Sequence, residues 1–465
     1  MKALNAVLMG GREVLPLIEG GKGIAISTGG SSGPWAAAGG IGTVSAVNAD
    51  SYDELGAVIP QLYHARTRRE RHEELIRYGV AGGVAQVERA HEIRAGLGSL
   101  NINILWEMGG AERVLKGVLE KTRGLVHGVT CGAGMPYRLA EIAAEYGVHY
   151  YPIISSARAF RALWKRAYRK FAEFLGAVVY EDPWRAGGHN GLSNSEDPET
   201  PEDPYPRVLA LRQQMREFGL GHIPIIMAGG VWFLRDWEHW IDSEELGPIA
   251  FQFGTRPLLT RESEISDDWK QKLLTLKKGD VYLHRFSPTG FFSSAVRNDY
   301  LQELVQRSER QIPFSPDPVG EHQTLLNVSP RGKKMYVTEA DRARAWKWIA
   351  RGFTEAMQTP DHTLIFVTPE KRDEIRKDQA DCMGCLSQCK FSNWADNQKN
   401  STGRKVDPRS FCIQKTLQDV AHGGSVENNL VFAGHNAYKF ALDPFYSNGF
   451  VPTVRQLIDR ILTGD

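Results

Sequence analysis

IPIIMAGGV, residues 223–231, runs six apolar positions straight into a pair of glycines. An apolar run this short, bounded by turn residues, reads as a strand buried on both faces, which is the habit of parallel sheets. Glycines at its end let the backbone turn tightly or come close to a ligand. The same pattern recurs through the first three hundred residues. It appears in VLPLI (14–18), GIGTV (40–44), LNINIL (100–105), GLVHGVT (124–130), HYYPII (149–154), FLGAVVY (174–180) and PIAFQF (248–253).

Between these runs lie helical patterns such as YRLAEIAAEYG (137–147) and RAFRALWKRAYRKFAEF (158–174), the latter with apolar residues three and four apart and a basic outer face. About eight strands, each followed by a helix or a helix-sized gap, predict an α/β fold, a (β/α)8 TIM barrel. A doubly wound open sheet is the runner-up. The glycines favour the barrel, because EGGKG, CGAG, AGGHNG, AGG and FGT all follow strand ends, and in a barrel those loops meet at one mouth. No G-x-G-x-x-G opens a helix after the first strand, so a Rossmann domain is not supported.

Lys+Arg of 56 against Asp+Glu of 55 in 465 residues leaves the charge near zero, which points to small-molecule partners rather than nucleic acid. The first residues, MKALNAVLMGGREVLPLIEGG, interrupt their apolar positions too often for a signal peptide, and no run of about 18 apolar residues occurs. The expectation is a soluble, cytoplasmic protein with no membrane contact. Its oligomeric state is open, a homodimer being one option.

Beyond about residue 310 the texture changes. RQIPFSPDPVGEHQTLLNVSPRGKK (310–334) reads as a connection leaving the barrel, followed by a helical stretch, EADRARAWKWIARGFTEAM (339–357), and then TLIFVT (363–368). NNLVFAG (428–434) and a helix in VPTVRQLIDRIL (451–462) end the sequence.

Four of the five cysteines cluster in the last quarter: Cys382, Cys385 and Cys389 in DCMGCLSQCKF (381–391), and Cys412 in RSFCIQ. Such clustering suggests a metal rather than disulfides. C-x2-C-x3-C followed by a distant fourth thiol suits a [4Fe–4S] cluster. Zinc is the main competitor, though its structural sites usually show two separated ligand pairs. Free or redox-active thiols remain a third reading. The fifth cysteine, Cys131, ends the fourth strand candidate and is either a residue of the mouth or a small core hydrophobe.

At the mouth, MAGGV (227–231) and FGTRP (253–257) end the seventh and eighth strand candidates, where barrels commonly cradle a phosphate with backbone N–H groups. A Cβ there would hold the phosphate away, and Thr255 can add a hydroxyl. Imidazole titrates near neutral pH, so His189, on a loop flanked by Gly187, Gly188 and Gly191, can take a proton from a carbon acid or donate one to a carbanion. Glu181, Asp182 and Trp184 precede it on the same loop and are candidates to shape the substrate pocket.

PLIEGGKGIAIST (16–28), AAAGGIGTVSA (36–46), NINIL (101–105), CGAGMP (131–136), AGGHNG (186–191), IPIIMAGGV, FQFGTRPLLTRES (251–263) and SPTGFFSSAVRN (287–298), in this order, resemble the nitronate monooxygenase family of FMN-dependent barrels, which also includes enoyl-ACP reductases. The likeness covers roughly residues 14–310 and resumes near VFAG (431–434). It implies three segments: an FMN-binding barrel over 1–310, an insertion over 311–428 carrying the cysteines, and a segment over 429–465 that returns to the barrel. It also implies that Gly229, Gly230, Gly254 and Thr255 bind the FMN phosphate. Gly21, Lys22, Gly23 and Asn103 would lie along the rest of the flavin, with Gly187 and Gly188 close to it. His189 falls where the family places its catalytic or flavin-proximal histidine. The C-x2-C-x3-C run resembles the cluster segment of flavoenzymes related to dienoyl-CoA reductase, where the fourth cysteine comes sooner.

The functional expectation is therefore an FMN-dependent oxidoreductase with a [4Fe–4S] cluster, linked to NAD(P)H or to an electron-transfer partner, that reduces an enoyl or acyl-thioester carbonyl compound. A cluster makes sense where electrons move singly. The alternatives are a nitronate monooxygenase using FMN and O2, and a non-catalytic flavin and iron–sulfur carrier.

Overall fold

The computed structural model describes residues 1–328 and 334–464. Eight parallel strands close a barrel: β1 (Leu17–Glu19), β2 (Ile41–Ser45), β3 (Ser99–Leu105), β4 (Gly128–Gly132), β5 (His149–Ile154), β6 (Val178–Glu181), β7 (Ile225–Ala228) and β8 (Ile249–Phe253). β7 pairs with both β6 and β8, and β8 pairs with β1, so no edge is left and the open sheet is ruled out. Each strand overlaps its apolar run. The first three residues of VLPLI and the first four of FLGAVVY fall outside β1 and β6.

Helices α1 (Gly29–Ala37), α2 (Arg68–Arg94), α3 (Ala111–Lys121), α4 (Leu139–Glu145), α5 (Ala157–Arg166) and α6 (Pro204–Glu217) follow β1 to β6 in turn. After β7 comes only a 3-10 helix, Leu234–Trp240. The helix expected over 158–174 breaks at Ala167 (φ −141°, ψ −50°) and continues as 3-10 turns, Tyr168–Phe174. The break accompanies Tyr168, which is fully buried edge-on to Tyr150 and donates its hydroxyl proton to Pro136 O at 2.8 Å.

Period-two alternation sorts the strand side chains. Val178 and Tyr180, Ile225 and Met227, and Ile249 and Phe251 join the core under the helices. Ile18, Val179, Ile226, Ala228 and Ala250 belong to a separate cluster with Met9 and Val14, so the hairpin of Val7–Met9 and Arg12–Val14 packs against the barrel interior. On β3 the residues paired across to that interior row include Asn101 and Asn103, both buried. Polar residues inside a barrel point to a ligand or to one another.

Outside the barrel, Gln311–Pro313, Thr363–Val367 and Glu355–Gln358 form an antiparallel sheet with its own core of Ile312, Phe314, Leu326, Val337, Leu364 and Phe366. The expected connection over 310–334 therefore contains strands, Gln311–Pro313 and Thr324–Leu325, while residues 329–333 lie outside the described residues. The helix expected over 339–357 ends at Ile349. Gly352 (φ +95°) turns the chain into a strand. The closing helix is Val454–Leu462, started by a capping box of Thr453 and Gln456. Among the described residues no helix is long and apolar enough to cross a membrane.

One buried cation holds the seventh and eighth strands at their entry. Arg212 of α6, fully buried, donates to the carbonyls of Gly221 at 3.0 Å, Ile223 at 2.8 Å and Pro248 at 2.9 Å, and to that of Leu246. Replacing it strands these acceptors, each costing about 1–3 kcal/mol when buried unpaired. Arg212→Met should lower the unfolding free energy by about 3 kcal/mol or more in urea titrations.

Candidate active site

A cavity of ≈ 220 Å³ lies at the carboxyl ends of the strands. Its wall includes Gly21, Lys22 and Gly23 after β1, Asn103 of β3, and Gly187, Gly188 and His189 after β6. Gly229 and Gly230 after β7, and Gly254 and Thr255 after β8, complete it. The structure thus brings together His189 and the ten residues expected to hold the flavin, though not Cys131, Asp182 or Trp184.

The loops after β7 and β8 are shaped for an anion. Gly229 has φ +90°, a left-handed conformation that a side chain rarely adopts, and a Cβ on it would stand 3.0 Å from the Ala186 backbone. A Cβ on Gly254 would meet no atom within 4 Å, so that position opens into free space. Beside it Arg256 is buried under Trp232, to whose carbonyl its Nη1 donates at 2.8 Å. Its Nη2 makes no hydrogen bond, and Asp443 Oδ2 is 3.9 Å away. An unsatisfied guanidinium N–H next to glycine loops that end two strands fits a phosphate.

Lys22 Nζ donates to Glu19 Oε1 and to Gly20 O, each at 2.9 Å, so its charge is balanced within the chain. Residues 432–437 cover the loops from above. Gly434 N donates to Thr255 Oγ1 at 2.9 Å, and Asn436 Nδ2 donates to Gly230 O at 2.6 Å. These residues, with Arg256, were not singled out from the sequence. Only the VFAG motif (431–434) hinted at the closing segment.

His189 sits on a two-residue strand, Gly188–His189, that pairs with Ser293–Val296. Its Nε2 shares a hydrogen bond of 2.6 Å with Ser287 Oγ, and its ring meets Phe432 edge-on. Burial lowers its pKa from 6.5 to about 4. The near-neutral titration expected of a loop histidine is thereby corrected: at pH 7 the ring is neutral. His284 nearby is held to about 3, again chiefly by burial. His189 and Ala133 line two further cavities as well, one of ≈ 70 Å³ that reaches Cys385 and one of ≈ 1200 Å³ that opens past Ser155, Arg158 and Phe291.

Of the residues just before His189, Glu181 lines both the glycine cavity and the large one. Asp182 instead is buried in an ion pair with Arg185 at 2.6 Å, and Trp184 is buried with Leu192 and Phe292. Cys131 is fully buried in the main core and outside all three cavities, so it acts as a hydrophobe.

The cysteine segment is latched to the barrel. Arg71 donates to Cys382 O at 3.1 Å and Ala380 O at 2.8 Å, Gly109 N donates to Cys385 O at 3.0 Å, and His72 Nδ1 lies 3.0 Å from Gly384 O. Cys412 precedes the helix Ile413–Ala421. All four thiols are free. Burial first, then the charges of Cys412, Cys389 and Cys382, push the Cys385 thiol well up, so the four stand within electrostatic reach of one another. Among the described residues no group of three or more His, Cys, Asp or Glu side chains that could hold a metal ion is found, the four cysteines included.

The family profile described as nitronate monooxygenase matches residues 13–366. The chain belongs to the nitronate monooxygenase family. It is accordingly an FMN-dependent oxidoreductase. FabK from Thermotoga maritima superposes with a TM-score of 0.52 at 16% identity, over 97% of this chain and 92% of that one. The enoyl reductase domain of MlnA from the macrolactin biosynthesis cluster of Bacillus amyloliquefaciens superposes with a TM-score of 0.55 at 13% identity, over 97% and 93%. At such identities the likeness is one of fold. No curated protein matches the sequence significantly.

Two outcomes follow from this geometry. Gly254→Leu fills the open position, so the purified variant should carry at least tenfold less flavin per chain by visible absorbance, with circular dichroism unchanged. The unfolded chain protonates its histidines below about pH 6.5, whereas folded His189 resists until about pH 4, so stability is full above 6.5 and falls as pH drops. Between pH 7 and 5 the His189→Gln variant should lose about 1–2 kcal/mol less than the parent in urea unfolding.

Proposed function

We propose that this flavoenzyme reduces the C=C bond of an enoyl thioester, with electrons supplied by NAD(P)H or by a one-electron carrier. The observation that carries the reading is the junction at His189. The narrow cavity suited to the cofactor meets, at that residue, a cavity of ≈ 1200 Å³, large enough for an extended acyl chain and far larger than a small nitronate needs. The MlnA neighbour, itself an enoyl reductase domain, agrees with it.

FMN would be held by Gly229, Gly230, Gly254, Thr255 and Arg256 at its phosphate, and by Gly21, Lys22, Gly23, Asn103, Gly187 and Gly188 along its length. When bound it supplies hydride chemistry. The chain's own residues do the rest. Residues 432–437 cap the phosphate loops and keep water from them. Neutral His189, held by Ser287, presents a fixed ring at the junction, where it hydrogen-bonds the reacting group and orients it against the flavin.

Cys382, Cys385, Cys389 and Cys412 are proposed to hold a [4Fe–4S] cluster. Each thiolate of such a cluster binds a different iron, so its ligands surround an inorganic core rather than converge on one point. Four free, largely buried thiols within reach of one another support this reading.

The family's name favours a second reading, oxidation of a nitronate by FMN and O2. The two separate on substrate. Under anaerobic conditions NAD(P)H, or dithionite as surrogate for a carrier, should reduce the flavin, and an enoyl thioester should reoxidise it. Oxygen uptake with propionate-3-nitronate, and no reoxidation by enoyl thioesters, would give the case to the monooxygenase. His189→Ala should lower turnover by about 10²-fold with flavin retained. Anaerobically purified protein should contain about four irons and four acid-labile sulfides per chain; zinc without sulfide would sink the cluster.

A further inference from the structure

His189 is not alone at the junction. Glu181, the last residue of β6, lines the glycine cavity and the large cavity together with it, and the Glu181 side chain has no hydrogen bond or ion pair among the described residues. Most of the charged groups that line these cavities are already engaged. Asp182 pairs with Arg185 at 2.6 Å, Glu196 with Arg207 at 2.8 Å, and Glu19 with Lys22 at 2.9 Å. Glu107 accepts a hydrogen bond from Ser387 Oγ at 2.8 Å, His189 and His284 are neutral, and Arg158 lies on α5 across the large cavity. A carboxyl group at a reaction junction with no partner of its own has no structural bond to keep.

We propose that Glu181 is a second catalytic residue of this site, the proton donor that completes reduction of the substrate, with His189 confined to hydrogen bonding. The assignment rests on the reductase reading above. The carboxyl O–H proton passes to the substrate α-carbon while hydride from the reduced cofactor adds to the β-carbon. The C=C π bond breaks, two C–H bonds form, the cofactor gives up two electrons, and the carboxylate regains its proton from water in the large cavity.

The protonation states agree. Burial, with a smaller push from the Asp182 charge, raises the Glu181 pKa from 4.5 to about 8, whereas His189 is held to about 4. At pH 7 the carboxyl carries a proton and the imidazole carries none to spare. Two titratable groups whose surroundings drive them apart mark the acid and its neighbour.

Two measurements on the flavin-loaded enzyme test this. Infrared difference spectra between pH 6 and pH 10 should show a protonated carboxyl band at pH 7 that disappears with a midpoint near 8 and is absent from Glu181→Gln. In steady-state reduction of a short enoyl thioester, Glu181→Gln should lose about 10²-fold in kcat, with KM within threefold and flavin content unchanged, while Glu181→Asp retains part of the rate. No band at pH 7, a band that survives in Glu181→Gln, or a Glu181→Gln kcat within threefold of the parent would overturn the assignment. If the parent enzyme reduces no enoyl thioester, the reductase reading falls, and the infrared result still decides whether Glu181 carries the proton.

Discussion

Everything at the mouth depends on two hydrogen bonds made across the length of the chain, Gly434 N to Thr255 Oγ1 and Asn436 Nδ2 to Gly230 O. They lay the closing segment directly on the loops after β7 and β8. A barrel with bare glycine loops is an open dish; with residues 432–437 in place it becomes a pocket with a roof. Enclosure explains the electrostatics. Burial, to which Phe432 of this segment contributes at the His189 ring, lowers the pKa of His189, and burial raises that of Glu181.

The large cavity and the cysteine segment meet this pocket from different sides. One opens past Ser155 and Arg158. The other reaches it at Cys385, through a cavity that also touches Gly23 and Phe432. The contact is carried by α2, whose Arg68 and Arg71 bind backbone carbonyls from Gln379 to Ser392, and by the loop after β3, whose Glu107 and Gly109 bind Ser387 and Cys385. That loop follows β3, so the cysteine segment docks beside the strand whose Asn103 lines the glycine cavity.

The strands were legible because a parallel strand buried on both faces cannot hide its apolar run, and each of the eight runs became one. The glycine loops were legible because backbone approach leaves no other residue a place, as at Gly229. Arg256 was not: an arginine in FGTRP looks like any surface cation until Trp232, from the neighbouring loop, covers it. Glu181 was visible as a residue but not as an acid, since its proton depends on the absence of partners drawn from several separate elements. The breaks at Ala167 and after Ile349 were missed where apolar periodicity continued past a buried tyrosine and a single glycine.

The roof of the pocket has a consequence for biogenesis. Gly434 and Thr255 are 179 positions apart, and the antiparallel sheet and the cysteine segment both lie between them. During synthesis the eight strands leave the ribosome long before their cover does. A nascent barrel can therefore fold, yet the pocket at its mouth is roofed only after the intervening segments have emerged and docked.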